Sequence, residues 1–192
     1  DVPVRMTFVY PGLPRLCCVD LPGITLVART DEGQPRDIKT QIRALLSTYL
    51  SQKHSFIVAV MAARDDLETD MALELVKEHD PELRRTLGVL TKVDLVSQGT
   101  NVVKYLRPDS KDVSKDIRTK HGYVAVRNFS PVRPDKEAAY FAAHADFSQD
   151  DVRPYVGTDR LLRTVSSVLS DRLRRNVPLI KKIVQEKIKE KK

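Results

Sequence analysis

Cysteine, tryptophan and long apolar runs are scarce or absent in this chain of 192 residues. The only two cysteines, Cys17 and Cys18, are neighbours. Adjacent residues of a strand point to opposite faces, so this pair is poorly placed to form a disulfide. No Cys-x-x-Cys or Cys/His cluster occurs, which argues against a zinc site and favours a reducing, intracellular setting. The longest apolar stretch, 56–63, is far shorter than the roughly 18 residues of a membrane span.

Glycine is also scarce, and none of the seven glycines belongs to a G-x-x-x-x-G-K-[ST] loop. Enzymes that transfer phosphoryl groups with this loop use it to cradle the phosphates and to supply a lysine and a magnesium-binding hydroxyl. We therefore assign no catalytic residue. The chain opens at Asp1 rather than at methionine and shows no signal peptide, so we expect a fragment of a longer protein.

The composition, 41% hydrophobic and 31% charged, is typical of a soluble globular domain, and the length suffices for one substantial core. Of the net charge of +7, +6 arises in residues 171–192, from nine basic and three acidic side chains. A basic segment suits nucleic acid or an anionic membrane, but a solvated helix face is the simpler interpretation. Without interleaved aromatic residues or a known module, we expect no nucleic-acid binding.

Along most of the chain, segments with the apolar periodicity of a strand alternate with segments that have the periodicity of a helix. Strands are predicted at 4–10, 16–19, 56–60, 87–90 and 122–126, and the first two flank a Pro/Gly turn and form a candidate hairpin. Helices are predicted at 38–50, 67–78 and 113–120, and two apolar stripes on either side of Pro178 predict C-terminal helices. This order predicts an α/β domain with a mostly parallel sheet, whose ligands bind at the carboxyl ends of the strands.

Two short motifs follow successive predicted strands at these ends. In Asp20-Leu-Pro-Gly23, the carboxylate suits magnesium, and the glycine lets a backbone N–H approach a phosphate oxygen. In Thr91-Lys-Val-Asp94, the carboxylate can accept two N–H groups from one edge of guanine while the stem of Lys92 lies along the ring. A lone Lys-x-Asp is also typical of a solvated loop. The two motifs together, in this order, indicate a guanine-nucleotide site.

The chain resembles the GTPases of the dynamin family. The resemblance is carried by "VDLPGIT", by "EGQPRDIKTQIRALLSTYL", by the long segment 56–100 that includes "GVLTKVDLVSQGT", by "GYVAVRNFS" and by the tail "LSDRLRRNVPLIKKIVQEKIKE". It covers nearly the whole chain. Ordinary small GTPases lack the Gln-Pro loop and the long helix that follows it, so the resemblance is specific to this family.

The resemblance implies a three-layer fold like that of P-loop NTPases, with its N-terminal part absent, over residues 1–156, and helices leading toward a bundle or stalk over 157–192. It implies GTP or GDP and Mg²⁺ as cofactors, with Asp20 orienting the metal and Gly23 donating to the γ-phosphate. The implied nucleotide-binding residues are Asp20, Gly23, Thr91, Lys92, Asp94, Asn128 and Ser130. The chain departs from the family pattern at Leu26, Ser97 and Phe129.

For the whole protein, the resemblance implies GTP hydrolysis that drives membrane remodelling or fission by a cytoplasmic, membrane-peripheral oligomer. The implied partners are guanine nucleotide, further copies through the GTP-binding domain and helices, a membrane, and microtubules as a candidate. For this chain alone we expect weak nucleotide binding and no hydrolysis, because the phosphate loop is lacking. The alternative is a non-catalytic, GTPase-like assembly scaffold.

Overall fold

A computed structural model describes residues 4–7, 17–24, 28–64, 66–96 and 100–190 of the chain. Three strands and five α-helices lie within these ranges. They are α1 (Ile38–Leu50), β1 (Ile57–Ala62), α2 (Met71–His79), β2 (Thr86–Thr91), α3 (Val103–Leu106), β3 (Tyr123–Ala125), α4 (Pro134–Ala143) and α5 (Thr158–Glu190).

The strands form one parallel sheet in the order β1-β2-β3. Leu90 of β2 pairs with Met61 of β1 on one side and with Ala125 of β3 on the other. The central strand β2 is buried on both faces apart from its last residue, as its continuous apolar sequence predicts. Because parallel strands share a direction, their carboxyl ends meet at one edge of the sheet. The predicted α/β class with a parallel sheet is confirmed.

Two hydrophobic clusters separate the protein into three layers. The larger cluster packs α1 and α2 against one face of the sheet, with Leu46, Leu73 and Met61 among its members. The smaller cluster covers the other face, where Leu161 and Val165 of α5 pack on residues of β2 and β3. This helix–sheet–helix arrangement confirms the predicted three-layer fold.

A buried polar network fixes the start of β2. Both carboxylate oxygens of Asp80 accept hydrogen bonds, from the N–H of Arg84 and Arg85 and from the hydroxyl of Thr86, at 2.7–3.1 Å. The guanidinium of Arg85 donates to the carbonyl oxygens of Gln52 and His79, at 2.9 and 2.8 Å, and to that of Leu50 at the end of α1. The network thus ties α1, α2 and β2 together and sets where β2 begins.

Three predictions are wrong in the described part: the N-terminal hairpin, the helix at 113–120 and the break at Pro178. Residues 4–7 and 17–20 form no strand and are exposed, and the rest of the predicted hairpin lies outside the described residues. Apolar alternation alone does not make a strand without a partner for its backbone groups, and an isolated hairpin is marginal. The helix predicted at 113–120 is a single 3-10 turn at Lys115–Ile117, since Ser114 caps the turn and Arg118 binds the nearby carbonyl of Val113.

Helix α5 runs through Pro178 instead of dividing there, so the two predicted stripes lie on one helix of 33 residues. Gly157, with φ of +92°, makes the turn that separates the sheet from the start of α5. Further along, Leu173, Val177 and Val184 are exposed at 43–63%. In the described part of the chain, no helix combines the length and the hydropathy needed to cross a membrane.

Candidate functional site

The turn after β2 projects Asp94 from the carboxyl edge of the sheet. Lys92 adopts a left-handed backbone conformation with φ of +56°, and a 3-10 turn at Val93–Leu95 follows it. The N–H of Leu95 donates to the carbonyl of Lys92 at 3.0 Å, and Val93 is buried beneath the turn. A lysine at positive φ is unfavourable by about 1 kcal/mol or more, and such strain is concentrated at functional sites. The turn leaves the side chain of Asp94 32% exposed.

The end of β3 lies directly beside this turn. The N–H of Val126 donates to the carbonyl of Leu90 at 2.8 Å, which extends the strand pairing by one residue and brings the next residue, Arg127, to Asp94. Nε of Arg127 lies 3.5 Å from Oδ2 of Asp94. The guanidinium also lies over two aromatic rings, 4.4 Å from the centroid of Phe129 and 4.1 Å from that of Tyr140. Arg127 is thus held by charge and by ring contacts next to the carboxylate predicted to bind guanine.

Tyr140 connects helix α4 to the same turn. Its hydroxyl donates to the carbonyl of Val93 at 3.3 Å. Burial raises the pKa of the Tyr140 phenol, the charge of Arg127 opposes this rise, and the charge of Asp94 reinforces it. The phenol therefore stays protonated at neutral pH and keeps its role as a donor.

A buried carboxylate ties this region to α5. Glu137, on α4, is only 6% exposed. Its Oε1 accepts the backbone N–H of Arg127 at 3.0 Å, and its Oε2 accepts that of Thr158, the first residue of α5, at 2.9 Å. The negative charge also lies at the helix N-terminus, where the helix dipole favours it. Through Glu137, the loop after β3 and the long helix share one support.

A cavity of about 500 Å³ opens beside Asp94. It lies between the turn after β2, the segment leading into α3, and the end of α4. Its lining is Val93, Asp94, Val96, Thr100, Asn101, Val102, Val103, Tyr140, His144, Asp146 and Phe147. This volume falls within the range of small-molecule sites, and the lining combines apolar walls with a few polar groups.

The other predicted base-side residues lie at the same edge of the sheet. Lys92, Asn128 and Ser130 are exposed in the segments that follow β2 and β3. Thr91 is half-buried, and its hydroxyl donates to the carbonyl of Met61 at 3.1 Å, so it joins β1 to β2. The structure therefore brings Lys92 and Asp94 to the loop that carries Asn128, while Thr91 has a structural hydrogen bond.

The predicted phosphate-side residues lie on a separate segment. Asp20 and Gly23 are exposed, while their neighbours Leu21 and Ile24 pack against the larger core cluster. Ile24 also borders a cavity of about 130 Å³ lined by residues of α1 and α2. The described residues contain no cluster of three acidic, histidine or cysteine side chains. One exposed carboxylate fits Mg²⁺ only where phosphate oxygens and water supply the remaining ligands, which is the usual situation for this ion.

Two residues at the site were missed by the sequence analysis. Arg127 was given no role from the sequence, although a strand register that aligns the ends of β2 and β3 places it near Asp94. Glu137 carries no signal in the sequence, since its two partners come from distant segments. Of the three departures from the family pattern, Leu26 and Ser97 lie outside the described residues, and Phe129 contacts Arg127.

Comparison of the sequence with known proteins identifies the family. The sequence profile described as "Dynamin family" matches residues 1–93. Vacuolar protein sorting-associated protein 1 of Schizosaccharomyces pombe is 36% identical over 191 residues, which cover 94% of this chain and 27% of that protein. The chain belongs to the dynamin family. Dynamin-2 of Bos taurus is 32% identical over 97% of this chain and 22% of its own length. Interferon-induced GTP-binding protein Mx of Solea senegalensis is 33% identical over 97% of this chain and 31% of its own length.

This dynamin-family chain thus spans between about a fifth and a third of the length of these relatives, from 22% to 31%. The matches extend across nearly all of the chain, including the strand ends that carry the candidate site. Family membership therefore agrees with the predicted resemblance.

Proposed function

We propose that this chain forms the guanine-recognition half of a dynamin-type GTP-binding domain. The observation that carries the proposal is Asp94, a partly exposed carboxylate on a strained turn at the carboxyl edge of a parallel sheet, beside the loop that follows β3. Ligands of open parallel sheets bind at this edge. A relative's printed name, GTP-binding protein Mx, supports the same ligand.

In the proposed complex, the Asp94 carboxylate accepts the ring N–H and the exocyclic amine of guanine. Adenine does not offer this pair of donors, so a bound adenine would leave the carboxylate unpaired. The aliphatic stem of Lys92 lies along the base, and Asn128 and Ser130 support the base and sugar from the neighbouring loop. Thr91 contributes by fixing the strand end through its bond to Met61.

On the phosphate side, Asp20 orients Mg²⁺ and Gly23 donates its backbone N–H to the γ-phosphate. When bound, Mg²⁺ neutralises the charge on the phosphate oxygens. The sequence contains no G-x-x-x-x-G-K-[ST] loop, so this chain alone lacks most phosphate contacts and is expected to bind nucleotide weakly and hydrolyse none.

For the whole protein, we propose GTP hydrolysis coupled to membrane remodelling or fission by self-association. Family membership supports this proposal, and so does α5, whose exposed apolar residues suit association with further helices. The protein would then act in the cytoplasm at a membrane surface. Microtubules remain a candidate partner.

The test is calorimetric titration of the chain with GDP and Mg²⁺, with ADP as the control nucleotide. We expect weak binding that favours guanine by tenfold or more, a difference of about 1.4 kcal/mol. Asp94→Ala should abolish the preference, whereas Asp116→Ala, which removes an exposed aspartate from the turn at Lys115–Ile117, should not. Equal binding of ADP and GDP would contradict the proposal.

A second candidate function is a non-catalytic assembly scaffold. The exposed apolar residues Leu173, Val177, Val184 and Ile188 along α5 favour it, because such a face on a charged helix usually packs against another helix. Sedimentation equilibrium distinguishes the two proposals. A scaffold should associate without nucleotide and dissociate when Leu173 and Val184 are changed to aspartate, and a chain that stays monomeric at all concentrations would exclude this function.

A further inference from the structure

Arg127 lies beside the carboxylate that the proposed function assigns to guanine. The guanidinium is a flat array of N–H donors, as is the edge of guanine that carries the ring N–H and the exocyclic amine. In the structure, Nε of Arg127 lies 3.5 Å from Oδ2 of Asp94. We infer that Arg127 determines the guanine affinity of this chain by occupying Asp94 when no nucleotide is bound, so that the base must displace its side chain. This inference rests on the proposed function.

Two aromatic rings hold the guanidinium in this position. Its central carbon lies 4.4 Å from the ring centroid of Phe129 and 4.1 Å from that of Tyr140. Both distances are well within the range of favourable cation–π contact. Tyr140 is itself fixed by its hydrogen bond to the carbonyl of Val93, in the turn that carries Asp94. The rings and the carboxylate therefore hold the arginine without any ligand.

The arginine is nevertheless displaceable, because its pairing with Asp94 is incomplete. Nε is buried and makes no hydrogen bond within the described part of the chain. A separation of 3.5 Å is too long for a strong hydrogen bond, whereas a guanine edge can form two bonds to the same carboxylate. The guanine base should therefore displace Arg127 from Asp94. The apparent affinity is still reduced by the fraction of molecules in which arginine occupies the carboxylate.

The side chain of Arg127 can be changed without disturbing the support from α4. The bond to Glu137 uses the backbone N–H of residue 127, so any replacement other than proline retains it. Arg127→Gln removes the charge, and Arg127→Lys keeps the charge but loses the planar array of donors. Arg133→Gln is a matched control, because Arg133 pairs with the exposed Asp135 in the next segment.

The test measures GDP and ADP binding by calorimetry for the wild-type chain and these three variants. Arg127→Gln should bind GDP about twofold to fivefold more tightly than the wild type, a range set by the strength of partly exposed ion pairs. Arg127→Lys should also bind more tightly, but by less. ADP binding should not change in any variant, and Arg133→Gln should match the wild type with both nucleotides.

A nucleotide-free measurement tests the contact independently. The ¹⁵Nε–¹H resonance of Arg127 should move when Asp94 is changed to asparagine. An unmoved resonance would overturn the inference and leave the proposed function intact. The same conclusion would follow if the wild-type chain selects GDP but Arg127→Gln and Arg127→Lys bind GDP no more tightly than the wild type. If the resonance moves but neither the wild type nor the folded variants bind GDP, both the inference and the proposed function are wrong.

Discussion

Replacing Glu137 with glutamine should weaken both the loop after β3 and the start of α5. In the native chain, one buried carboxylate accepts two backbone N–H groups, from Arg127 at 3.0 Å and from Thr158 at 2.9 Å. Glutamine keeps one acceptor oxygen without its charge, and its amide group cannot accept from the second N–H. A hydrogen bond to a charged group contributes about 1.5–3 kcal/mol, and a neutral one about 1 kcal/mol.

Loss of one charged bond and weakening of the other give a decrease of about 2–4 kcal/mol in the free energy of unfolding for Glu137→Gln. Glu137→Ala leaves both N–H groups without a partner, so we expect a larger decrease, about 3–6 kcal/mol. Urea unfolding followed by circular dichroism at 222 nm measures the free energy of unfolding of both variants. The control is Glu82→Gln, a change at a side chain that is 67% exposed and pairs with the exposed Arg84, where we expect less than about 1 kcal/mol.

Hydrogen exchange tests whether Glu137 acts as a link. In Glu137→Gln, amide protection should fall together in the loop after β3 and in the first turn of α5, while β1 keeps its protection. A stability change within about 0.5 kcal/mol of the wild type, or a loss of protection confined to α4, would refute the reasoning.

Three further predictions concern the rest of the fold. Burial, with the nearby charge of Arg172, lowers the pKa of His121 below its usual value of 6.5. Near that pH the unfolded chain therefore binds more protons than the folded chain, so stability should fall as the pH drops below about 6.5. Between pH 7.5 and 5.5, the melting temperature of His121→Gln should decrease by less than that of the wild type. A Cβ added to Gly88 would lie 2.2 Å from the ring of Tyr123, so Gly88→Ala should destabilise the chain by about 1–3 kcal/mol in urea, and Tyr123→Leu should relieve part of this. Arg85→Ala removes the donor to the carbonyl oxygens of Leu50, Gln52 and His79 and the positive charge beside the buried Asp80 carboxylate, which keeps its other hydrogen bonds. It should decrease stability by about 3–5 kcal/mol in the same assay, and a decrease below 1 kcal/mol would contradict that role.

The sequence predicted those parts of the fold that depend on local pattern. Residues 87–90 were predicted as a buried strand from their continuous apolar run, which matches a β2 whose two faces are both covered, and α1 was predicted with the bounds Ile38–Leu50 that the structure has. The hairpin prediction was wrong because the alternation of apolar and polar residues does not show whether a partner strand is present. The continuity of α5 was missed because a proline inside a helix removes one hydrogen bond, a loss of about 3 kcal/mol or more that neighbouring turns can offset.

The candidate site also contains residues that a local pattern predicts and residues that it does not predict. Asp94 and Lys92 were predicted as site residues because their spacing at a strand end has a chemical meaning. Arg127 and Glu137 were missed because their roles depend on contacts between segments. Arg127 meets Asp94 only through the register of β2 and β3, and it meets Tyr140 only through the docking of α4. Glu137 joins two backbone groups that no local pattern connects.

The most direct test of the central claim exchanges the base and the residue together. Xanthine has a carbonyl oxygen where guanine has its exocyclic amine, so an asparagine, with one acceptor and one donor, matches xanthine as an aspartate matches guanine. Binding of GDP and of xanthosine diphosphate should be measured for the wild-type chain and for Asp94→Asn. The account predicts that the wild type prefers GDP and that Asp94→Asn prefers xanthosine diphosphate. The same order of preference in both proteins would mean that Asp94 does not read the base.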